Sequence, residues 1–204
     1  IIDDPTGHYW EWESWVRMRP WFQPYIYYHF IILLKFFGIS DPFSWSLTIR
    51  LFSSVLGFFS IVYLFISVKN DFFKKNNNFN YFLFFTFWFY PFLHSRTSSE
   101  NLSITFFIFA FCILYKQVKL KNFQFNYFIL FNSSLLMGLA LVVKFNFIFT
   151  VLPFFLWLLF FRFHFERILL MGLAIISALL FGLFIDSINW GSYRNTYLQY
   201  YRHN

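Results

Sequence analysis

Charged side chains stand at the borders of long apolar runs in this chain, where charge is costly to place beside lipid. Arg96 and Lys144 are cations that could hold a phosphate group, arginine through a bidentate fork and lysine as a point charge. Glu11, Glu100 and Asp186 are carboxylic acids that could orient or deprotonate a sugar hydroxyl. Together these residue types predict a site for a phosphate-linked sugar.

Aromatic residues accompany these charges. Trp10 and Trp12 lie in the stretch WEWESW, which leads to Arg17, and Trp190 follows Asp186. A tryptophan ring can stack on a sugar ring, so Trp10, Trp12 and Trp190 are further candidates for substrate binding. Arg17 is a fourth candidate. The same tryptophans would also suit a belt of interfacial anchors.

Each charged candidate also has a purely structural interpretation. Arg96 and Glu100 are four residues apart and could pair across one helical turn, worth roughly 0.2–0.5 kcal/mol. The stem of Lys144 could carry its ammonium group to the membrane surface. Asp186 could face water at a helix end. All three alternatives stay open at the level of the sequence.

No metal site and no cofactor site are expected. His29, His94 and His164 are too scattered for the spacing of metal ligands, and no phosphate-binding loop of the type G-x-x-x-x-G-K occurs. Cys112 is the single cysteine, so no disulfide within the chain is available. A site for ATP or a nucleotide sugar is therefore unsupported.

The composition is that of an integral membrane protein. Of the 204 residues 59% are hydrophobic, and 12% are charged against roughly 25% in an average soluble domain. The net charge of +7 would suggest nucleic acid as a partner in a soluble protein. Here the lysines and arginines cluster in short loops between apolar runs, so membrane topology explains them and no nucleic-acid partner is expected.

We predict an all-α fold, a polytopic bundle of about six membrane spans plus one interfacial helix in a single domain. Backbone groups in lipid must bond within their own segment, which requires helices when no alternating strand pattern is present. The predicted spans are 51–67, 79–93, 102–115, 127–143, 145–161 and 168–184. Residues 21–38 are assigned to a helix along the membrane surface. The chain is thus divided into an outer region, 1–46, the spans within 47–184, and an outer segment, 185–204.

Basic residues set the predicted orientation. They occupy three loops that fall on one side if all six segments cross: Lys69, Lys74 and Lys75; Lys116, Lys119 and Lys121; Arg162 and Arg167. That side should be cytoplasmic. The segment 94–101, Lys144 and Asp186 then converge on the opposite, outer face.

Four stretches resemble motifs of the glycosyltransferase family 22 mannosyltransferases. They are WEWESWVRMRPWFQP, RTSSENLS, GLALVVKFNFIFTVLP and DSINWGSYRNTYLQYYRHN, and they occur in the order of the family. This family includes enzymes that extend the glycosylphosphatidylinositol (GPI) anchor and the lipid-linked N-glycan precursor, together with bacterial relatives.

The resemblance implies a GT-C fold with catalytic loops on the lumenal or periplasmic side, and a polyprenyl-phosphate-linked mannose as donor. It implies a glycan or glycolipid acceptor, and a bacterial inner membrane or an endoplasmic reticulum membrane as the location. Family members carry an acidic His-Pro-Asp-Glu motif upstream of the tryptophan-rich stretch, where the catalytic base is expected. This motif is absent here, so we interpret the chain as an internal piece of a longer protein.

Departures from the family pattern leave specificity open. Lys144 stands where the family tends to have arginine, Phe145 where it has proline, and Glu100-Asn101 where it has asparagine and its neighbours. A GT-C glycosyltransferase of another family would share the topology. A transporter would instead place its charges at mid-membrane on broken helices.

Overall fold

A computed structural model describes residues 20–72, 97–119, 126–160 and 164–190. These ranges contain six α-helices: α1 Phe22–Phe36, α2 Pro42–Phe72, α3 Ser99–Lys119, α4 Tyr127–Val143, α5 Ile148–Phe160 and α6 Phe165–Trp190. A short 3-10 helix, Phe145–Phe147, lies between α4 and α5. The described residues form no strand, and the predicted all-α fold class is confirmed for them.

Three of the described helices are long and apolar enough to cross a membrane. The candidate spans are Pro42–Val68 in α2, Ser99–Gln117 in α3 and Phe165–Asn189 in α6. Two shorter apolar helical segments are Tyr127–Val143 and Phe145–Trp157. The predicted span 79–93 lies outside the described residues. The helices are those of a membrane-embedded protein, and the count of six spans stays a prediction.

Contacts between helices establish their relative directions. Ser53 pairs with Asn101 and Tyr63 packs on Phe109, so α2 and α3 run parallel. Ser103 near the start of α3 donates to the Ala140 carbonyl near the end of α4, so these two run antiparallel. Helix α6 runs parallel to α4, since Gly138 lies against Ala178 and both Val142 and Ile185 belong to one core cluster.

The spacing between charged residues along these helices matches the thickness of a bilayer core. The rise from Glu100 to Lys116 in α3 is about 24 Å and that from Arg167 to Asp186 in α6 is about 28 Å, close to the roughly 30 Å of the bilayer core. Lys116 and Arg167 lie toward one end of this bundle, and Glu100 and Asp186 lie at the other. This arrangement agrees with an inner end marked by basic residues.

Helix α4 is the centre of the bundle and packs against both α3 and α6. Its Met137 and Ala140 are fully buried, as is Met171 of α6. Gly138 lets α4 and α6 approach closely, because a Cβ atom there would lie 2.5 Å from the Ala178 Cβ. Small residues at such contacts are characteristic of helix packing in membranes.

Helices α2 and α6 both extend beyond the predicted borders of the span region, 47–184. Helix α2 begins at Pro42, before the predicted boundary of 46, because Asp41 caps it by accepting a 2.9 Å hydrogen bond from the Ser44 N–H. Helix α6 continues to Trp190, beyond 184. Its polar side chains bond to their own backbone there, Ser187 to the Phe184 carbonyl and Asn189 to the Ile185 carbonyl. The predicted outer segment 185–204 therefore begins inside a helix.

Helix α1 has 15 residues, about 22 Å, which is shorter than the roughly 30 Å core of a bilayer. It ends at Phe36, and the φ of 82° at Gly38 turns the chain so that the Ile39 N–H donates to the Leu34 carbonyl. The chain then returns along α2, and Phe30 stacks on Phe52. The location of α1 at the membrane surface stays a prediction.

Candidate active site

Four helical ends meet at the outer end of the bundle. The start of α1, the start of α3, the end of α4 and the last turns of α6 share one apolar cluster, formed by Phe22, Leu102, Val142, Val143 and Ile185. The polar residues next to this cluster are thereby brought together, although they are far apart in sequence. They form the candidate active site.

Asp186 lies on α6 and is 1% exposed. Its Oδ1 accepts a 2.7 Å hydrogen bond from the backbone N–H of Trp21, the N-cap residue of α1. No side chain of α1 caps its own first turn, so a carboxyl group from another helix does so. The interpretation of Asp186 as a residue facing water is wrong, and Asp186 lies within helix α6 rather than after its end.

Glu100 and Lys144 form an ion pair, with 2.6 Å between Glu100 Oε1 and Lys144 Nζ. Glu100 is in the first turn of α3. Lys144 is the extended residue between α4 and the 3-10 helix, with φ −145° and ψ 104°. The helix is broken at Lys144, and this places its ammonium group at the outer end of the bundle, where only a quarter of the side chain is exposed.

A second polar group links α1 to α3. Gln23 Nε2 donates to the Thr97 carbonyl at 2.8 Å and to the Tyr27 hydroxyl at 3.3 Å. Burial raises the pKa of the Tyr27 phenol, an effect partly offset by hydrogen bonds to Gln23 and Ser53. The hydroxyl therefore stays protonated at neutral pH, and it accepts a hydrogen bond from Gln23.

Asn101 continues this network into the bundle. It is 5% exposed, and its Nδ2 donates to Ser53 Oγ of α2 at 2.8 Å. The hydrogen bond fixes the start of α3 against α2, one residue after Glu100. Asn101 and Ser53 thus support the backbone from which Glu100 reaches Lys144.

Ser53→Ala is expected to destabilise the protein by about 0.6 kcal/mol and at most about 1.7 kcal/mol, the range measured for hydrogen bonds between membrane helices. The variant leaves the buried Asn101 amide without this acceptor. Thermal unfolding in detergent measures the effect. Ser54→Ala is the matched control, because the Ser54 hydroxyl bonds to the Arg50 carbonyl of its own helix. Equal stability of the two variants would contradict the prediction.

Several candidate residues lie outside the described residues: Trp10, Glu11, Trp12, Arg17 and Arg96. Trp190 ends α6, but its side chain is not described. The alternative pairing of Arg96 with Glu100 is likewise outside the described part. For Glu100 itself the structure gives a different partner, Lys144.

The residues missed by the sequence analysis are the polar partners of these charges. Gln23, Tyr27 and Ser53 were assigned no role in the site, and their residue types carry no signal of one. Only the packing of α1 and α2 against α3 brings them to Asn101 and Thr97. Among the described residues, no group of three or more His, Cys, Asp and Glu side chains could hold a metal ion.

Apolar helices of membrane length with an ion pair and a buried acid at one end define a polytopic membrane protein with a polar site at that end. The chain belongs to the Alg9-like mannosyltransferase family, whose family model matches residues 6–204. It is therefore a membrane glycosyltransferase of a mannosyltransferase family, as the motifs predicted. Comparisons with curated proteins and with solved structures found no significant match.

Proposed function

We propose that the protein transfers mannose from a polyprenyl-phosphate-linked donor to a glycan or glycolipid acceptor at the outer end of its helix bundle. The observation that carries the proposal is the Glu100–Lys144 pair at this end of the bundle, where the buried Asp186 also lies. A lipid-linked donor has its phosphate at the membrane surface. The outer end of the bundle lies about one bilayer thickness from the basic residues of the inner end, and so would reach the phosphate of a donor in the outer leaflet. The outer end corresponds to the lumenal or periplasmic face.

Lys144 is proposed to stabilise the leaving phosphate. An ammonium group has three N–H donors, and the contact with Glu100 occupies one of them. Glu100 therefore fixes the position of Lys144 while leaving donors for phosphate oxygens. A preorganised cation at a water-poor site stabilises developing negative charge more strongly than one in bulk water.

The ion pair carries no net charge, so a second cation is needed to balance a phosphate. Arg96 is the proposed second cation, three residues before α3 and four before Glu100. Arg17 is proposed as a further contact to the substrate, with Trp10, Trp12 and Trp190 as surfaces for the sugar. Glu11 is proposed to orient the acceptor.

The proposed reaction is a single displacement. A hydroxyl oxygen of the acceptor forms a bond to the anomeric carbon while the bond from that carbon to the phosphate oxygen breaks. The hydroxyl proton passes to a carboxylate, and the electron pair leaves with the lipid phosphate. Attack opposite the leaving group inverts the anomeric centre. The donor carries its own leaving group, so the proposed reaction uses no nucleotide cofactor.

Lys144→Gln is expected to raise the KM for the donor about tenfold, the equivalent of about 1.4 kcal/mol of binding energy. The measurement is transfer of labelled mannose from polyprenyl phosphate mannose by membranes that contain the full-length protein. Lys144→Arg keeps the positive charge and should retain most of the activity.

Lys116→Gln is the matched control for this substitution. Lys116 lies toward the inner end of α3, where its Nζ is 4.1 Å from the centre of the Tyr63 ring. Its replacement should leave the KM for the donor unchanged. Wild-type kinetics of Lys144→Gln, or equal effects of the two substitutions, would remove Lys144 from the donor site.

A further inference from the structure

The side-chain amide of Gln23 is held at the outer end of the bundle by two hydrogen bonds. Its nitrogen atom, Nε2, donates to the Thr97 carbonyl at 2.8 Å and to the Tyr27 hydroxyl at 3.3 Å. An amide nitrogen has two N–H groups, and these contacts use both. Because the Thr97 carbonyl can only accept, the contact also establishes which end of the amide is the nitrogen.

The amide oxygen of Gln23, Oε1, accepts no hydrogen bond from the residues that the structure describes. It has two lone pairs, so a ligand with a hydroxyl or N–H group can donate to it. Gln23 is partly exposed and Thr97 is exposed, so the amide is accessible from outside the bundle. Gln23 is therefore a candidate binding residue, in addition to its contact with the segment before α3.

A network of hydrogen bonds holds this amide in place. The Tyr27 hydroxyl, which accepts from Gln23, also bonds with Ser53 of α2. Ser53 Oγ accepts in turn from Asn101 Nδ2 at 2.8 Å, and Asn101 is buried. The network thus joins the Gln23 amide to the interior of the bundle. A group whose orientation is fixed in advance loses less conformational entropy when it binds a ligand.

The neighbours of Gln23 place it at the candidate active site. Trp21, two residues earlier, donates its N–H to Asp186 at 2.7 Å. Thr97 lies three residues before Glu100, the acidic member of the ion pair at the outer end. Gln23 therefore lies between the buried acid of α6 and the charged start of α3.

The chemistry of Oε1 indicates which part of a lipid-linked sugar it binds. A phosphodiester has acceptor oxygens and no hydrogen to donate at neutral pH, and an apolar lipid chain has no polar hydrogen either. The hydroxyl groups of the sugar can donate to an amide oxygen. Arg96, one of the proposed phosphate-binding cations, directly precedes Thr97. A sugar attached to a phosphate held there would lie close to Gln23.

We propose that Gln23 Oε1 accepts a hydrogen bond from one hydroxyl group of the mannose on the sugar donor, and that Gln23 thereby helps to select the sugar. This inference rests on the proposed function, since it takes the mannose to be carried on a polyprenyl phosphate. A site that hydrogen-bonds a hydroxyl group discriminates against a sugar that lacks it, because the protein acceptor is then left unpaired.

Sugar donors with one hydroxyl group removed test this proposal. The substrates are polyprenyl phosphate mannose and its deoxy forms, each of which lacks one of the free hydroxyl groups of the sugar. The measured quantity is kcat/KM for the complete donor divided by kcat/KM for the deoxy donor, in membranes that contain the full-length protein. This ratio does not depend on the amount of folded protein, so a variant that folds only in part is still informative.

We expect the wild type to prefer the complete donor over one of the deoxy donors about tenfold, the scale of a single hydrogen bond. Gln23→Met has a side chain of similar length without the acceptor, and should use these two donors equally well. Gln23→Glu retains an acceptor oxygen and should keep the preference. Gln117→Met is the matched control, because it makes the same change at a buried glutamine toward the inner end of α3, and it should also keep the preference.

Two results would overturn the proposal. If Gln23→Met lowered kcat/KM by the same factor for the complete donor and for every deoxy donor, Gln23 would only hold α1 against the segment before α3. Equal use of all these donors by the wild type would show that no hydroxyl group of the mannose is recognised. An absence of mannosyl transfer from the complete donor by the wild type would instead refute the proposed function, and this inference with it.

Discussion

Asp186→Ala is expected to lower kcat/KM for mannosyl transfer about 100-fold, the scale of loss that a misplacement of about 1 Å can cause. The Asp186 carboxyl group accepts the Trp21 N–H at 2.7 Å and is 1% exposed. Its removal leaves the half-buried Trp21 N–H without this acceptor, which costs at most about 1–3 kcal/mol of stability. The start of α1 then loses its hydrogen bond to α6 and is held there by apolar contacts such as that of Phe22 with Phe181.

Asp186→Asn separates the hydrogen bond from the charge. The amide oxygen of asparagine can still accept from the Trp21 N–H, so this variant should keep most of the stability that Asp186→Ala loses. Transfer activity and thermal unfolding in detergent are measured on both variants. Ser187→Ala is the neighbouring control, because the Ser187 hydroxyl bonds to the Phe184 carbonyl of its own helix, and we expect a change within about 0.5 kcal/mol.

Two results would contradict this role of Asp186. Wild-type stability of Asp186→Ala would show that the contact with Trp21 contributes little. If Asp186→Asn were as stable as the wild type and yet inactive, the negative charge of Asp186 would be the property that transfer requires. The second result would assign Asp186 to the orientation of the acceptor.

Gly138→Ala is expected to destabilise the bundle by about 1–3 kcal/mol, the usual cost of overpacking a close contact. The new methyl group would lie 2.5 Å from the Ala178 Cβ and 3.1 Å from the Ile175 backbone, so α4 and α6 must separate. The midpoint of thermal unfolding should fall by roughly 2–4 °C for each kcal/mol lost. This fall is measured by heating the protein in detergent and recording the fraction that remains monodisperse at each temperature.

The chain offers both a control and a suppressor for this variant. A Cβ atom at Gly172 of α6 would meet nothing within 4 Å beyond its own stretch of helix, so Gly172→Ala should be neutral or should stabilise the helix by up to about 1 kcal/mol. Ala178→Gly removes the atom that Gly138→Ala would meet. The double variant should therefore regain much of the lost stability, and its failure to do so would show that the clash is not the cause.

Composition alone predicts the membrane helices well, since lipid allows the backbone few alternatives. The span predicted at 127–143 coincides with α4, Tyr127–Val143. Helix α2 begins nine residues before the predicted span 51–67, because that prediction followed the apolar run, which Ser44 and Thr48 interrupt. In the structure the Thr48 hydroxyl bonds to the Ser44 carbonyl, which allows polar residues inside a helix of a membrane protein.

The pairs at the candidate site could not be predicted in the same way. Helical periodicity offers partners only three or four residues apart, as with Arg96 and Glu100. Lys144 lies 44 residues from Glu100, and Asp186 lies 165 residues from Trp21. These contacts exist only because four helical ends pack around one apolar cluster. Residue type predicts the charged members of the candidate site, and the packing of the helices determines which residues they contact.

The burial of Asn101 also determines which covalent modification this segment can accept. Asn101-Leu-Ser103 is a formal N-glycosylation sequence, and such acceptors lie on accessible surface loops. Asn101 is inside α3 with its amide bonded to Ser53, and Ser103 is fully buried. The folded protein therefore offers no glycan attachment point there. Acceptor sequences engineered elsewhere along the chain would report their side of the membrane without a background signal from Asn101.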